Sequence, residues 1–290
     1  MRRFFRSWAA AIALLAGFGL CAAPRGQVLQ QEPVEHVYAE PGGTQLKAFV
    51  FWPEKQGETR QPVIVLFHGG GWTMGEPQWA FSKARHFAER GMVAIAAQYR
   101  LSNEKDITPI EAMEDASAVI RWIRVHADSL GIDANRIAAY GWSAGAHLAV
   151  SAAILDTSAT RESVSTSPNA LVLVSPAVSL VSDGHVQHLL GNRAHALDIS
   201  PDEHLRKGLP PTLVLQGDVD SVTPLSGVKR FCDRMRAAGN TCELHVYEGY
   251  GHLFTPAGTP DDGWPQPDSA TAADALARAD RFLESLGYLR

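Results

Sequence analysis

Apolar residues along this chain fall into short continuous runs, and the runs alternate with longer segments suited to helices. The segments expected to form strands lie at residues 63–67, 92–97, 136–140, 170–174, 212–215 and 243–247, and the run at residues 63–67 is continuous, as is typical of a strand buried on both faces. The segments expected to form helices lie at residues 81–90, 109–129, 144–155, 225–238 and 270–286. This alternation predicts an α/β fold, with a mostly parallel central sheet and helices on both faces.

An antiparallel hairpin is predicted ahead of the first buried strand. Residues 37–38 and 46–52 flank a Pro-Gly-Gly sequence at residues 41–43, which marks a turn. We therefore expect the folded domain to span residues 36–290, after a loose polar stretch at residues 24–35.

Two later stretches lack a clear period. Residues 256–268 are rich in proline, glycine and aspartate and are expected to form a surface loop. Residues 179–208 are the predicted small lid, an insertion over the functional site. This stretch carries four histidines that are expected at the surface: His185, His188, His195 and His204.

The first 23 residues have the layout of a secretory signal peptide. Residues 1–6 are basic, residues 8–20 are apolar and uncharged, and residues 21–23 include small side chains. This layout predicts export, to the periplasm or the medium. Two alternatives remain: an uncleaved membrane anchor, for which the apolar stretch is short, and lipidation at Cys21, which the preceding Leu20 disfavours.

Length, composition and charge narrow the classes of partner. The chain has 290 residues, 46% of them hydrophobic, which suits one large domain with a sizeable core. Its net charge is −5, and it lacks the basic stripe that a nucleic-acid partner requires. Neither a Cys-x-x-Cys motif nor a histidine cluster at metal spacing occurs, so we expect no metal and no cofactor. No membrane contact is expected beyond signal targeting, and the oligomeric state is left open.

Three cysteines occur, and one of them lies in the predicted signal peptide. Removal of the signal leaves Cys232, on a predicted helix, and Cys242, at the start of the next strand. A short turn from helix to strand can bring two Cα atoms within the roughly 4.4–6.8 Å that a bridge requires, and export permits oxidation. The sequence predicts a Cys232–Cys242 disulfide and leaves two buried free thiols open as the alternative.

A Gly-Trp-Ser-Ala-Gly sequence at residues 141–145 lies between a predicted strand and a predicted helix. A serine on such a sharp turn exposes its hydroxyl, and flanking glycines avoid the clashes that a Cβ would cause. The helix N-terminus that follows offers backbone N–H groups to a developing oxyanion. We therefore interpret Ser143 as a nucleophile, against the alternative of a chance glycine-serine turn.

A glycine-rich loop, His-Gly-Gly-Gly-Trp at residues 68–72, follows the first buried strand. Consecutive glycines let backbone N–H groups approach a ligand without obstruction by side chains. We expect Gly70 and Gly71 to donate to an oxyanion alongside the N–H of Ala144. His68 is expected to be structural, with hydrogen bonds to the backbone that hold the glycines in shape.

A serine nucleophile needs a base, and the base needs a group that orients it. In folds of this kind the acid follows the serine along the chain, and the histidine follows the acid. Asp218 and Asp220 both follow a predicted strand, and Asp220 is favoured because it stands further out on the loop. His252, in a glycine-containing loop after the last strand, is the predicted base, whereas His245 inside that strand is expected to pack against a neighbour.

Together these motifs resemble those of the hormone-sensitive-lipase-like esterases, and within them the bacterial acetyl-xylan and feruloyl esterase branch. The resemblance covers residues 35–288 and rests on four motifs in order, at residues 68–72, 99–101, 114–115 and 141–149. It implies the α/β-hydrolase fold, with Ser143 as nucleophile, Asp220 as acid and His252 as base. It also implies oxyanion donors from Gly70, Gly71 and Ala144.

The resemblance further implies hydrolysis of a carboxylic ester by acyl transfer, without a cofactor. Many members of the group carry an acidic residue before the serine, where this chain has Trp142, and a long helical N-terminal cap, where this chain has a short polar stretch. An open site is therefore expected, which favours short-chain, acetyl-type esters, either small molecules or linked to a polysaccharide. Trp72 and Trp142 are predicted to contact this substrate.

Two other classes of function remain open. A serine exopeptidase could use the same triad, although such enzymes usually add a large accessory domain and an acidic pocket for the substrate amine. A non-catalytic binding protein could keep the fold, but such proteins normally lack a triad member, and Ser143, Asp220 and His252 are all present here.

Overall fold

An eight-stranded sheet runs through the computed structural model, which describes residues 32–54, 60–103, 106–155, 164–259 and 263–289. In chain order the strands are β1 (Val34–Ala39), β2 (Leu46–Phe51), β3 (Gln61–Phe67), β4 (Val93–Ala97), β5 (Ile132–Trp142), β6 (Ala170–Val174), β7 (Thr212–Gly217) and β8 (Cys242–Tyr247). Their order across the sheet is β1-β2-β4-β3-β5-β6-β7-β8. The pairs β1–β2 and β2–β4 are antiparallel and the other five are parallel. The predicted mostly parallel sheet with a hairpin at one edge is confirmed.

Helices cover both faces of this sheet. In chain order they are α1 (Phe81–Glu89), α2 (Pro109–Val125), α3 (Ala127–Leu130), α4 (Ala144–Ile154), α5 (Gly184–Leu190), α6 (Leu225–Ala237) and α7 (Ser269–Ser285). Helices α2, α4, α5 and α6 pack into a core on one face, and α1 and α7 pack into a core on the other.

Strand β3 shows why the strands appear as continuous apolar runs. Val63 and Val65 belong to the core on one face, whereas Ile64 and Leu66 belong to the core on the other face, and all four are fully buried. Successive side chains of a strand point to opposite faces, so burial of both faces removes the polar alternation that marks a half-exposed strand.

The single helix predicted at residues 109–129 is two helices. Thr108 and Glu111 form a capping box that begins α2: the Glu111 carboxylate accepts the backbone N–H of Thr108 at 2.7 Å. His126 leaves the helical conformation, with φ −98° and ψ 17°, and separates α2 from α3. Gly131 then ends α3 in the left-handed region, at φ 66°.

Strands β1 and β5 begin well before their predicted starts. β1 begins at Val34, so the last two residues of the predicted loose stretch belong to the sheet, where Glu35 pairs with Phe49. β5 begins at Ile132, which pairs with Gln61 before an irregularity in the register. Few residues at these two strand starts are both apolar and buried, so the pattern of apolar residues did not predict them.

The insertion segment, residues 179–208, folds as α5 and two short 3-10 turns. Arg193 of this segment forms an ion pair with Glu111 of α2. Asp202 forms a second ion pair, with Arg230 of α6, at 2.8 Å. The segment also buries five apolar side chains in the core: Leu180, Val186, Leu190, Ala196 and Ile199. It is therefore fixed to both α2 and α6.

Across the described ranges, no helix is both long and apolar enough to cross a bilayer. The predicted signal peptide, with Cys21, lies outside the residues that the structure describes. Its removal and the export of the protein stay predictions.

A disulfide joins Cys232 on α6 to Cys242 at the start of β8, with the two Cα atoms 5.4 Å apart. Both side chains are buried. The loop that carries Asp220 precedes α6, and the loop that carries His252 follows β8. The bridge therefore joins the two elements that lie between these loops along the chain.

We expect a Cys232→Ala/Cys242→Ala double variant to lower the free energy of unfolding by about 2–3 kcal/mol, because the bridge restricts the unfolded chain over a short loop. Urea denaturation of the mature protein measures this loss. Reduced wild-type protein should lose a similar amount, and the double variant should not respond to reductant. Two free thiols per chain in unfolded, unreduced wild-type protein would contradict the bridge.

Candidate active site

Ser143 sits on a strained turn between β5 and α4. Its backbone lies at φ 54° and ψ −124°, in a region that residues with a Cβ rarely adopt. The sheet holds this conformation, because the Ser143 N–H donates to the Val174 carbonyl of β6 at 2.9 Å. The turn presents the hydroxyl at the carboxyl end of the parallel strands, where ligand sites of open α/β sheets form.

The two glycines that flank this serine are required by close backbone contacts. A Cβ on Gly141 would lie 2.2 Å from the carbonyl oxygen of Gly145. A Cβ on Gly145 would lie 2.2 Å from the carbonyl oxygen of Phe67 and 2.3 Å from that of His68. These distances are shorter than any real contact, so a side chain at either position would force the helix away from the sheet.

Ser143, His252 and Asp220 form a continuous chain of hydrogen bonds. His252 Nε2 lies 2.9 Å from Ser143 Oγ, and His252 Nδ1 lies 3.0 Å from Asp220 Oδ2. The carboxylate can only accept, so Nδ1 carries a hydrogen, and Nε2 faces the serine hydroxyl. All three side chains are buried. The structure thus brings together the three residues that the sequence nominates, in the geometry of a nucleophile, its base and an orienting acid.

Asp220 is surrounded by hydrogen-bond donors. It accepts the backbone N–H groups of Val222 and Thr223 at 3.0 and 2.8 Å, the Thr223 hydroxyl at 2.9 Å and the Gln216 amide at 3.1 Å. Burial acts to raise the pKa of Asp220, but the hydrogen bond and charge of His252 and the bonds from Thr223 outweigh it and hold the pKa below its usual value. The carboxylate is therefore ionised at neutral pH.

Asp218, the other candidate acid, has a different position. Its carboxylate accepts the Gly249 N–H at 2.7 Å, in the turn that follows β8. It therefore supports the start of the loop that carries the histidine. Between the two aspartates, the geometry favours Asp220.

The histidine loop comes close to the end of β7 because Gly217 has no side chain. A Cβ on Gly217 would lie 2.2 Å from the carbonyl oxygen of Tyr250. Beyond His252 the chain turns through Leu253, at φ 52°, whose N–H donates to the Ser175 hydroxyl at 3.1 Å. Close packing against β7 and β6 thus sets the height of the imidazole above the serine.

The orientation of the peptide groups in the glycine loop follows from the hydrogen bonds that their carbonyl oxygens accept. The Gly70 carbonyl accepts the N–H groups of Thr73 and Met74, both at 3.1 Å. In a trans peptide the carbonyl and the N–H point to opposite sides, so the Gly71 N–H points away from this turn. Gly70 and Gly71 both line the cavity that contains Ser143. This is the arrangement expected of oxyanion donors.

His68 acts on the preceding peptide. Its Nδ1 lies 2.6 Å from the Gly69 carbonyl oxygen, which directs the Gly70 N–H to the other side. Burial lowers the pKa of His68 to about 4, against the opposing effect of the Gly69 bond, so the ring is neutral at pH 7. Tyr99 stacks on the ring and donates its hydroxyl to the His68 carbonyl at 2.9 Å. These contacts agree with the structural role expected for His68.

The third predicted donor, Ala144, begins helix α4. The carbonyl of Ser143, which belongs to the same peptide as the Ala144 N–H, accepts the N–H groups of Ala146 and His147 at 3.0 and 3.2 Å. The Ala144 N–H consequently points in the opposite direction, out of the N-terminus of the helix, where the helix dipole favours negative charge.

The two tryptophans predicted to contact substrate differ in position. Trp142 lines the cavity, and Lys83 Nζ lies 4.9 Å from the centroid of its ring. Trp72, in a correction to the expectation, lies under the glycine loop and is only 3% exposed. Left-handed backbone at Gly71 and Trp72, with φ of 58° and 61°, turns the indole inward, where Nε1 donates to His147 Nδ1 at 3.3 Å.

The cavity above Ser143 has a volume of about 770 Å³ and is largely apolar. Besides the glycine loop, Ser143 and His252, its wall includes Met74, Trp79, Trp142, His185, Val222, Leu253, Trp264, Pro265 and Pro267. None of the lining side chains that the structure describes is a carboxylate that could bind a substrate amine. The apolar wall suits the uncharged groups of an ester.

Three aromatic wall residues, Trp79, Trp264 and His185, were not predicted to line the site. Trp264, 65% exposed, stands in the proline-rich loop, and Trp79 meets its edge at 5.4 Å between ring centroids. A large aromatic residue in an otherwise polar loop just after His252 was the signal for Trp264. His185 is exposed, as expected for the histidines of the insertion segment, and it also lines the cavity.

Comparison with known proteins agrees with this geometry. Residues 50–235 match the BD-FAE family. Among solved structures, native esterase 2 of Thermogutta terrifontis is 32% identical, with a TM-score of 0.78 over 90% of this chain and 95% of that one. The same esterase phosphorylated by paraoxon is 33% identical, with a TM-score of 0.77 over 90% and 96%.

Among curated proteins, the isoprenylcysteine alpha-carbonyl methylesterase ICME of Arabidopsis thaliana is 28% identical over 66% of this chain and 50% of its own length. The probable carboxylic ester hydrolase LipM of Mycobacterium tuberculosis is 29% identical over 60% and 45%. The chain spans about half the length of these curated relatives.

The fold and its neighbours define the class: an α/β-hydrolase of the esterase type. The chain belongs to the BD-FAE family, which matches more than half of its length. The resemblance to hormone-sensitive-lipase-like esterases is thereby confirmed.

We expect Asp220→Asn to lower the turnover of an ester by roughly 10⁴-fold, because the amide would favour the wrong tautomer of His252. Asp218→Asn should cost far less, because Asp218 bonds the Gly249 turn and not the imidazole. Steady-state kinetics of both variants measure the difference. A larger loss in Asp218→Asn than in Asp220→Asn would contradict the assignment.

Proposed function

We propose that the protein hydrolyses carboxylic esters by two-step acyl transfer through Ser143. The observation that carries the proposal is the chain of hydrogen bonds from Ser143 through His252 to Asp220, which opens onto an apolar cavity beside the glycine loop. Ester hydrolysis is also the activity named for the relatives in the esterase family.

In the first step His252 Nε2 takes the hydroxyl proton as Ser143 Oγ bonds to the ester carbonyl carbon. The carbonyl oxygen becomes an oxyanion. The bond to the alcohol oxygen then breaks, and the alcohol leaves with the proton from Nε2, so that an acyl group remains on Ser143. Water repeats the sequence on the acyl-enzyme, His252 accepts and returns a proton, and the acid product leaves.

The other residues stabilise charge that exists only during these steps. Asp220 holds the imidazole in the reactive tautomer and balances the positive charge of its protonated form. The N–H groups of Gly70, Gly71 and Ala144 would bind the oxyanion, and each such donor contributes roughly 3 kcal/mol of transition-state stabilisation. The hydrogen bonds that Asp220 accepts help to hold its pKa below the usual value, so its carboxylate is ionised and can orient His252 at neutral pH.

The proposed substrates are short-chain, acetyl-type esters, including those of acylated carbohydrate. Support comes from Thermogutta terrifontis esterase 2, whose structures include propionate-bound and butyrate-bound forms. The tryptophans of the cavity wall, Trp79, Trp142 and Trp264, offer the broad apolar faces that ring-shaped alcohols can contact.

The proposed location is outside the cytoplasm, in the periplasm or the medium. The signal-like layout of residues 1–23 supports it. The Cys232–Cys242 bridge supports it as well, because structural disulfides form in oxidising compartments.

We expect Ser143→Ala to lower the hydrolysis of 4-nitrophenyl acetate by about a millionfold while the protein stays folded, because the nucleophile is lost. In wild-type protein, paraoxon should label Ser143: Oγ bonds to phosphorus and 4-nitrophenolate leaves as His252 takes the proton. Peptide mass spectrometry identifies the labelled residue, and circular dichroism checks the fold. More than a few per cent of wild-type turnover in pure Ser143→Ala protein would refute the mechanism.

Acyl-chain preference provides a separate test. We expect kcat/KM for 4-nitrophenyl acetate and butyrate to exceed that for the octanoate, because the cavity is open to solvent and does not enclose a long chain. Initial rates across acetyl, butyryl, octanoyl and feruloyl esters measure the preference. A higher kcat/KM on the octanoate would exclude the short-chain proposal while leaving ester hydrolysis intact.

A further inference from the structure

The glycine loop is held by a helix that contributes nothing to the triad. His185 Nε2, on α5, lies 3.0 Å from the carbonyl oxygen of Gly71. A carbonyl oxygen only accepts, so Nε2 carries the hydrogen of this bond whether the ring is neutral or protonated. His185 also lines the cavity, so the bond joins one wall of the site to the loop that would bind the oxyanion.

A second connection links the same two parts of the chain. Trp72 Nε1 donates to His147 Nδ1 at 3.3 Å, and the opposite ring nitrogen, Nε2, lies 2.8 Å from the Ile199 carbonyl oxygen. Burial lowers the pKa of His147 to about 4, against the opposing effect of the Ile199 bond, so the ring is neutral. It therefore accepts one hydrogen bond, from Trp72, and donates one, to the Ile199 carbonyl. The insertion segment thus contacts the glycine loop at Gly71 directly and at Trp72 through His147.

The glycine loop needs external support because its backbone is unfavourable. Gly71 and Trp72 both lie in the left-handed region, at φ 58° and 61°. For a residue with a side chain such as Trp72, this conformation is unfavourable, because the Cβ crowds the neighbouring carbonyl oxygen. The bond to His185 fixes the peptide between Gly71 and Trp72, whereas the Gly70 carbonyl bonds fix the peptide before it. Together they restrain Gly71 on both sides.

The helix that carries His185 is firmly attached. Asp183 caps α5 by accepting the N–H groups of His185 and Val186 at 2.9 and 3.1 Å. Val186 and Leu190 are buried, and Arg193 binds Glu111 of α2. A side chain on so well anchored an element can position the loop that it contacts.

We propose that His185 is a positioning residue for ester hydrolysis. Its Nε2–H holds the Gly71 carbonyl and, together with the bonds to the Gly70 carbonyl, keeps Gly71 in the conformation that directs its N–H at the oxyanion, which exists only in the transition state. His185 exchanges no proton with substrate in this role. The inference rests on the proposed function, because it concerns the rate of that reaction.

The test compares three variants of the full-length mature protein on 4-nitrophenyl acetate. His185→Ala should lower kcat by about tenfold, less than the 10²- to 10³-fold cost of losing an oxyanion donor outright, and leave KM and the pH limits of kcat/KM unchanged. His185→Gln should recover most of the rate, because its amide can donate in place of Nε2–H. His188→Ala, an exposed position on the same helix, is the matched control and should behave as wild type.

Paraoxon labelling of Ser143 provides a second readout that does not depend on ester turnover. The bimolecular labelling rate should fall in His185→Ala by the same factor as kcat, because the phosphoryl oxygen develops charge at the same N–H groups. If wild-type protein labels but does not hydrolyse esters, the proposed function fails and the labelling rates still test His185. A kcat and labelling rate for His185→Ala equal to those of His188→Ala would overturn the positioning role. If His185→Gln recovers none of the lost rate, the positioning role is overturned as well. It is also overturned if His185→Ala loses one limb of the pH profile of kcat/KM, which would indicate proton transfer by His185.

Discussion

The close approach of helix α4 to the end of β3 is the constraint on which the rest of the site depends. Gly145 lies so near the carbonyl oxygens of Phe67 and His68 that a Cβ would come within 2.2–2.3 Å of them. The contact places the N-terminus of α4, with the Ala144 N–H, beside the loop that begins at His68. It also forces the turn through Ser143 into its left-handed conformation. The nucleophile and the oxyanion donors therefore share one rigid contact.

The remaining parts of the machinery are brought to this contact by similar close packing. Gly217 lets the loop with His252 settle against the end of β7, from which the loop with Asp220 departs. Asp220 is then held by donors from its own loop and from Gln216, so that its position is fixed before substrate binds. Preorganised charge of this kind needs no rearrangement during the reaction, which is why it accelerates the chemical step.

The sequence predicted much of this arrangement where the signal is local. The run of Val63 to Phe67 predicts a strand buried on both faces, and the structure confirms it because neighbouring residues enter opposite cores. The turn at Ser143 is recognisable because strand, serine and helix are adjacent along the chain. The loop of His252 follows the last strand in the order that the fold requires.

The rest depends on contacts between distant parts of the chain, which no local pattern encodes. His185 reaches Gly71 across 114 residues of sequence, so its place on the cavity wall could not be inferred from the surrounding polar segment. Trp72 was expected to face the substrate, but left-handed backbone at Gly71 and Trp72 directs the indole towards His147. The choice between Asp218 and Asp220 likewise depends on where the Gly249 turn lies.

The central claim, an acyl group carried on Ser143, is tested most directly by partitioning between water and added methanol. Acetyl esters of different alcohols, such as 4-nitrophenyl, phenyl and ethyl acetate, would all pass through the same acyl-enzyme. The ratio of methyl acetate to acetate formed by the protein should then be identical for the three substrates, although their rates differ. A ratio that changes with the leaving group would contradict a common acyl-enzyme, and with it the account of the site.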